Sequence, residues 1–245
     1  MRLTRNMSLL AVIVLAGFGA LARSDEAKDQ VKEKAFDAPH KVNVKVRMEG
    51  PYTADVPLQV VCYFKYTPEG GRRMSGAPVE LDKRLGGVIA SLRERGEFAG
   101  DQLETLLITP PRDSIKAKAL LLVGLGDEDA LSLKLMEGVG RVALREAAQL
   151  GVSRVAFAPL IRDQGNTKLG TGDVETAVVR GMLLAYDTEK RLQKEGLSKE
   201  FTLDDWNVEA GPAYFDETVT GIQKAIEEAG KAIKDRSSDP LSKGK

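Results

Sequence analysis

The side chains that most often carry out catalysis or bind metals are scarce in this sequence of 245 residues. His40 is the single histidine and Cys62 the single cysteine. One histidine rules out a metal site built from several imidazoles, and it argues against a Ser-His-Asp or Cys-His mechanism. Cys62 lies in the apolar run VPLQVVCYF, which predicts a buried strand thiol without the accessible, electropositive setting of a reactive cysteine. We therefore predict no catalytic residue.

Carboxylates are the remaining candidates, and they form two clusters, Asp127–Asp129 and Asp204–Asp205. A hard cation usually gathers more oxygen ligands than adjacent acids can supply. We interpret the first cluster as the start of a helix, where capping and the helix dipole favour acids. The second pair lies in a predicted strand, where neighbouring side chains face opposite sides. The sequence thus predicts no metal site.

The stretch LLLVGLGDEDALS, residues 120–132, has the strand and Gly-x-Gly with which many nucleotide-binding loops begin. The dinucleotide fingerprint G-x-G-x-x-G would need a third glycine after Gly124 and Gly126, but Asp129 stands at that place. Three consecutive carboxylates would also repel a pyrophosphate. We interpret the glycines as a turn from a buried strand into a helix whose start the acids cap, and we predict no cofactor.

The elements that would position any site alternate along the chain. The predicted strands are KVNVKVRM, VPLQVVCYFKY, LETLLITP, KALLLVGLG, VSRVAFAPL and FTLDDWNVEA. The predicted helices are PVELDKRLGGVIASLRERG from Pro78, LSLKLMEGVGRVALREAAQLG, VETAVVRGMLLAYDTEKRLQKEG and a last one from about Phe215 to Lys234. TPEGGRRMSGAP is predicted to be a loop. Strands that alternate with helices of this length predict an α/β fold, with helices on both faces of the sheet.

The first residues have the pattern of a secretory signal peptide. Residues 1–22 contain a basic start, a short apolar core and a small-x-small end, which predicts cleavage after Ala22. The alternative, an uncleaved membrane anchor, needs about 20 apolar residues. Cleavage implies an exported protein, periplasmic or secreted, without a stable membrane anchor. We divide the rest into a charged, solvated leader at 23–40, one domain at 41–235 and a flexible tail at 236–245.

Composition and charge exclude one class of partner. The chain is 42% hydrophobic and 29% charged, as soluble globular proteins are. Removal of Arg2 and Arg5 with the signal peptide leaves 34 of the 36 basic residues against 36 acidic ones. Because no basic surplus remains to bind a phosphate backbone, we expect no nucleic-acid partner.

Several motifs, in order, resemble the N-terminal domain of the leucine aminopeptidase (cytosol aminopeptidase) family. They are LDKRLGGVIASLRERGEFAGDQLETLLI, KALLLVGLGDEDALS, VETAVVRGMLLAYDTEKRLQ and VTGIQKAIEEAGKAI, and the similarity extends over about residues 55–235. The resemblance implies a macro-domain-like fold with three layers, a mixed sheet between helices. The family's metal ions and catalytic groups belong to a C-terminal domain with an N-T-D-A-E-G-R stretch, which this sequence lacks. We therefore expect a stand-alone, non-catalytic relative.

The similarity of that domain to macro domains, which bind ADP-ribose, implies two ligand loops. The candidate ligand-binding residues are Gly86, Gly87, Gly165, Asn166, Gly170, Thr171 and Gly172. The second loop, residues 163–173, has a flexible backbone and precedes a helix N-terminus, which suits an anion. The alternative is that Gly86 and Gly87 let a helix pack tightly and that the second loop is an exposed connection.

Three functions remain open. The first is a binding or assembly module that forms a homo-oligomer or joins a separately encoded catalytic chain. The second is a macro-type binder of a nucleotide or another small anion. The third is metalloaminopeptidase activity, or a subunit associated with it, which the resemblance alone supports.

Overall fold

A seven-stranded mixed sheet forms the centre of the computed structural model, which describes residues 31–241. Its strands are β1 (Glu33–Asp37), β2 (Asn43–Arg47), β3 (Leu58–Tyr63), β4 (Thr105–Ile108), β5 (Ala119–Gly124), β6 (Arg154–Ala158) and β7 (Asp205–Glu209). They lie in the order β1-β2-β7-β6-β3-β5-β4. The five inner strands are parallel, whereas β1 and β4 run antiparallel to their neighbours at the two edges. The predicted signal peptide, residues 23–30 and residues 242–245 lie outside the described residues.

Helices cover both faces of this sheet. They are α1 (Pro68–Arg73), α2 (Ala77–Arg84), α3 (Val88–Glu94), α4 (Leu133–Leu150), α5 (Thr171–Lys194) and α6 (Phe215–Lys234). Alternate residues of β3 belong to different cores: Val60 and Cys62 pack in the core that contains α4, α5 and α6, while Val61 packs in the core that contains α2 and α3. All six residues of β3 are buried, as expected of a central parallel strand with helices on both sides. The predicted three-layer α/β fold is confirmed.

The sheet begins inside the segment that the sequence analysis interpreted as a solvated leader. Residues 33–37 form β1, which pairs with β2 along its whole length. Four of its five side chains are exposed, and Phe36 is the partly buried one that packs against the core. An edge strand held by backbone hydrogen bonds needs little apolar character, which is why its composition resembled that of a leader.

The predicted helix from Pro78 is two helices, α2 and α3, which meet at Gly86 and Gly87. These glycines have φ values of 71° and 83°, the left-handed region that other residues adopt only with strain. Apart from their immediate neighbours in the chain, no described residue has an atom within 4 Å of where a Cβ would stand on either glycine. The interpretation as a tight packing point is therefore wrong, because the glycines are needed for backbone conformation. The Asp82 carboxylate accepts hydrogen bonds from the Ile89 and Ala90 amides and so caps α3.

Two further local predictions differ from the structure. The predicted loop TPEGGRRMSGAP contains α1, which begins after Thr67, whose side chain accepts a hydrogen bond from the Gly70 amide. The acids Asp127–Asp129 do not cap α4, because a short 3-10 helix, Glu128–Ala130, intervenes. Ser132 is the N-cap of α4 instead, and its hydroxyl accepts a hydrogen bond from the Leu135 amide.

Within residues 31–241, none of the helices combines the length and the apolar character that crossing a membrane requires.

Candidate ligand-binding site

A cavity of about 260 Å³ lies at the carboxyl ends of three adjacent parallel strands, β2, β7 and β6. The residues that follow these strands line it, namely Glu49–Pro51, Glu209–Gly211 and Ala158–Asp163. The first residues of α5 and α6 close its sides through Thr171, Val174, Glu175, Tyr214 and Thr218. In open α/β sheets this edge is where ligands bind, because the loops diverge there and leave a crevice.

The wall after β6 is held in an uncommon backbone conformation. Leu160 is buried and has a φ of 54°, a left-handed value that is rare for a non-glycine residue. The Gln164 side-chain amide donates hydrogen bonds of 3.0 Å to the carbonyl oxygens of Leu160 and Cys62, and its oxygen accepts one from the Phe64 amide. Gln164 is itself buried. It therefore fixes the cavity wall to the end of β3.

Arg162 organises the predicted ligand loop, residues 163–173. Its guanidinium donates to the Leu169 carbonyl at 2.7 Å and, over longer distances, to the Asn166 carbonyl and the Thr171 hydroxyl. The same guanidinium lies 5.9 Å from the centre of the Tyr214 ring. Arg162 lines the cavity, and three of its five N–H groups donate to the loop.

Two carboxyl groups in the cavity are buried with their hydrogen-bonding capacity incompletely satisfied. Glu175 is 1% exposed and Glu209 is 8% exposed. Glu175 Oε2 and both side-chain oxygens of Glu209 find no partner of ordinary geometry among the described residues. Burying a polar group in this way costs free energy, and a charged group costs more.

Burial shifts the ionisation of both groups. Desolvation raises the pKa of Glu175 to about 8. Desolvation, and next the charge of Glu49, raise the pKa of Glu209 well above its usual value, while Gln59 and Arg47 act in the opposite direction. Protons thus stay on these carboxyls at pH values where an exposed glutamate has lost its proton.

Two further acids make the cavity more acidic. Desolvation is the main cause that raises the pKa of Glu49, whose Oε1 lies 3.0 Å from Arg47 Nη1. Desolvation also raises the pKa of Asp163. Among the residues that line the cavity, four are acidic and Arg162 is the single basic one.

The predicted ligand residues do not converge on this cavity. Thr171 lines it, but Gly86 and Gly87 lie at the other end of α2 from Ala77, the α2 residue that lines it. Asn166 is buried within the loop, where its side-chain oxygen accepts a hydrogen bond from the Lys168 amide. Gly165 and Gly170 belong to the same loop and are not part of the cavity lining.

The helix N-terminus predicted to receive an anion already has a carboxylate from the chain itself. The Gly172 amide donates a 2.8 Å hydrogen bond to Glu217 Oε1. A Cβ at Gly172 would stand 2.8 Å from the Glu217 carbonyl oxygen, so glycine allows the start of α6 to approach the start of α5. Glu217 thus occupies the position that suits an external anion.

Sequence reasoning missed the acids that distinguish the cavity. Glu175 stands in VETAVVRGMLLAY, where its neighbours Val174, Ala177 and Val178 are buried. Glu209 ends the buried strand β7. The signal that could have found them is a single acid at a position where the helical or strand period demands an apolar side chain.

No group of three or more His, Cys, Asp or Glu side chains is arranged to hold a metal ion within residues 31–241.

Comparison with known proteins identifies the family. The family model "Cytosol aminopeptidase family, N-terminal domain" matches residues 60–195, which is more than half of the chain. The chain belongs to the cytosol aminopeptidase family. The matched range includes Arg162 and Glu175, whereas Glu49 and Glu209 lie outside it.

Curated relatives of this family are much longer than the matched region. A "Probable cytosol aminopeptidase" of Roseiflexus castenholzii is 34% identical over 104 residues, which are 42% of this chain and 20% of the relative. One of Pseudomonas syringae pv. tomato is 36% identical over 87 residues, 36% of this chain and 17% of the relative. The chain therefore spans about a fifth of the length of these relatives.

Solved structures show the same fold at low sequence identity. A mutant of tomato leucine aminopeptidase has a TM-score of 0.58 and 20% identity, and the match covers 82% of this chain and 38% of that one. The Oceanobacillus iheyensis macrodomain with ADP has a TM-score of 0.51 and 10% identity, with 81% and 99% covered. These matches confirm the macro-like fold expected of an aminopeptidase N-terminal domain.

Proposed function

We propose that this domain is a non-catalytic binding module that holds a small ligand in the cavity at the carboxyl ends of β2, β7 and β6. The observation that carries the proposal is the cavity itself, placed where α/β sheets bind ligands and lined by both apolar walls and buried carboxyl groups. The fixed conformation of Leu160 supports it, because strained backbone is often kept at functional sites.

The size of the cavity favours a small ligand. Pockets for drug-sized ligands have volumes of about 300–1,000 Å³, and this cavity has about 260 Å³. A complete dinucleotide would need the cavity to enlarge. Of the two binding functions that the sequence left open, the geometry favours a small-ligand binder over an assembly module.

Chemical-shift mapping of the protein with a panel of small ammonium, carboxylate, phosphate and neutral compounds tests the proposal. We expect at least one class to perturb the amides of Leu160, Arg162 and Tyr214. Gly211→Phe should abolish the perturbation, because Gly211 lines the cavity and has open space around its Cβ position. Lys199→Phe, an exposed position outside the cavity lining, is the matched control. The proposal would be overturned if the perturbations persist unchanged in both variants, or if no class of compound perturbs these amides.

Assembly remains a second proposal, supported by the relatives. They are named as aminopeptidases, and this chain matches their N-terminal domain model. We propose that the chain hydrolyses no peptide itself and forms a homo-oligomer or joins a separate catalytic chain. Light scattering and hydrolysis of a leucine chromogenic substrate with added manganese or zinc test it. A monomer that cleaves the substrate would contradict both the absence of hydrolysis by this chain and its assembly with other chains.

Export is proposed from residues 1–22 alone. Intact mass measurement of the protein recovered from a periplasmic or secreted fraction tests it. We expect the mass of a chain that begins at Arg23. A chain that keeps residues 1–22 in the cytoplasm would contradict the proposal.

A further inference from the structure

We infer that the cavity at the carboxyl ends of β2, β7 and β6 binds a primary ammonium group attached to a small apolar body, with Glu175 and Glu209 as the groups that receive the ammonium. This inference deepens the proposed function and rests on it, since it names the ligand class of the same cavity.

The first step is the unmet hydrogen-bonding capacity of the two carboxyls. Glu175 Oε2 and both Glu209 oxygens have no partner of good hydrogen-bond geometry among residues 31–241, although both side chains are more than nine-tenths buried and line the cavity. The Gln59 side chain interacts with Glu209 and satisfies it only in part. A buried polar group without a partner is costly, so a ligand that satisfies it gains affinity. Carboxylates accept hydrogen bonds, and an ammonium group offers three donors.

The second step is that the cavity lining carries more acidic than basic side chains, which favours a cation over an anion once the acids are ionised. Arg162 is the single basic residue in the described lining, and three of its five N–H groups donate to Leu169, Asn166 and Thr171. The amide of Gly172 at the α5 N-terminus donates to Glu217. A phosphate or carboxylate ligand would face four acidic side chains, and it could use only the unpartnered Thr218 hydroxyl and the N–H groups of Arg162 that do not bind the loop.

The third step is the rest of the cavity surface, which fits an apolar body. Ala158, Leu160, Ile161, Val174, Ala210 and Tyr214 supply it. A small organic cation can place its charged end on the carboxyls and bury its carbon atoms against these walls. A bare metal ion cannot, and the described residues hold no suitable group of donors for one.

The raised pKa values add a measurable consequence. An ammonium ligand favours the ionised form of Glu175, whose pKa burial raises to about 8. Binding at lower pH must therefore release a proton, and affinity should rise with pH until about 8. Cys62 and Glu209 interact electrostatically with Glu175, Glu49 and Arg47 act on Glu209, and Glu49, Asp163 and Arg162 line the same cavity.

Calorimetry with three probes of equal length tests the inference: hexylammonium, hexanol and hexanoate. Hexylammonium should bind the full chain more tightly than hexanol, and hexanoate should not bind. Glu175→Gln combined with Glu209→Gln should weaken hexylammonium by about tenfold to a hundredfold and leave hexanol unchanged. Affinity for hexylammonium should rise up to about tenfold per pH unit below pH 8, and this rise should be smaller in the double variant.

Glu128→Gln is the matched control, because Glu128 is an acid outside the cavity lining that pairs with Arg73. Circular dichroism checks that all variants fold, and Glu175→Gln alone replaces the double variant if that one does not. Hexanoate that binds as well as hexylammonium, or hexylammonium that binds the variant as it binds the native chain, would overturn the inference. If hexanoate or ADP-ribose perturbs the amides of Leu160 and Tyr214, the inference about an ammonium ligand is overturned but the proposed small-ligand function stands. If no probe binds or perturbs these amides, both the inference and the proposed function are overturned.

Discussion

Two groups of carboxylates in this protein differ in almost every physical respect. Glu128 and Asp129 lie next to each other at the surface, where they pair with Arg73 and Lys168 at 2.7 Å. Glu175 and Glu209 are distant in sequence, buried together in one cavity and without ion pairs among residues 31–241. The acids that are adjacent in the sequence are at the surface, whereas burying the two isolated acids costs free energy. A cluster of acids in a sequence thus points to surface, while an isolated acid in an apolar run points to a site.

The largest expected effect comes from Glu175→Gln. The pKa of Glu175 is about 8 in the folded chain against 4.5 as its ordinary value, so the folded state binds more protons between these pH values. Stability therefore falls as pH rises from about 5 to about 8, by at most about 1.4 kcal/mol per pH unit for this group. The substitution should remove the share of that slope due to Glu175 and make the chain more stable at pH 8, while Glu209, whose pKa burial also raises, keeps its own share. Urea unfolding at several pH values measures it.

The same slope in Glu175→Gln as in the native chain would show that Glu175 is not the buried acid that holds the proton. Glu128→Gln serves as the control and should keep the native slope.

A smaller effect on the free energy of unfolding is expected from Glu217→Gln. This substitution tests a carboxylate at a helix N-terminus, which belongs to neither of the two groups compared above. Its carboxylate accepts from the Gly172 amide at the start of α5, where the helix dipole favours negative charge. We expect a loss of about 0.5–1 kcal/mol that shrinks at high salt, because the amide keeps an acceptor but the charge is gone. Thermal unfolding in low and high salt measures it, and a loss independent of salt would rule out the charge as the cause.

The smallest effect should come from the surface cluster. Glu128→Gln removes the ion pair with Arg73, and exposed pairs contribute from about 0 to 1 kcal/mol. We expect the unfolding free energy to change by less than about 0.5 kcal/mol at pH 7. Urea unfolding measures it. If Glu128→Gln lowers the free energy of unfolding by more than Glu217→Gln does, the comparison is contradicted, because the clustered acids would then stabilise the fold.

Much of the fold could be predicted from local patterns. The alternation in KVNVKVRM predicted β2, with Val44 and Val46 fully buried, and the spacing in the last helix predicted approximately the bounds of α6. The strand β1 and the break between α2 and α3 could not be predicted in this way. The first depends on pairing with β2, and the second on left-handed backbone at two glycines inside a continuous helical period.

The candidate site was predicted less well, because its residues come from separate strand ends. The sequence located one lining residue, Thr171, through the glycine-rich loop before α5. It missed Glu49, Glu175 and Glu209, since only the parallel pairing of β2, β7 and β6 and the packing of α5 bring them to one cavity.

The sequence by itself determined the α/β class, the family resemblance and the buried thiol of Cys62, because apolar period and motif order are local properties of the chain. The tertiary structure alone decided which acids are solvated and which are buried. Burial depends on what other elements place around a side chain, and the ionisation of a carboxyl follows its surroundings rather than its neighbours in sequence.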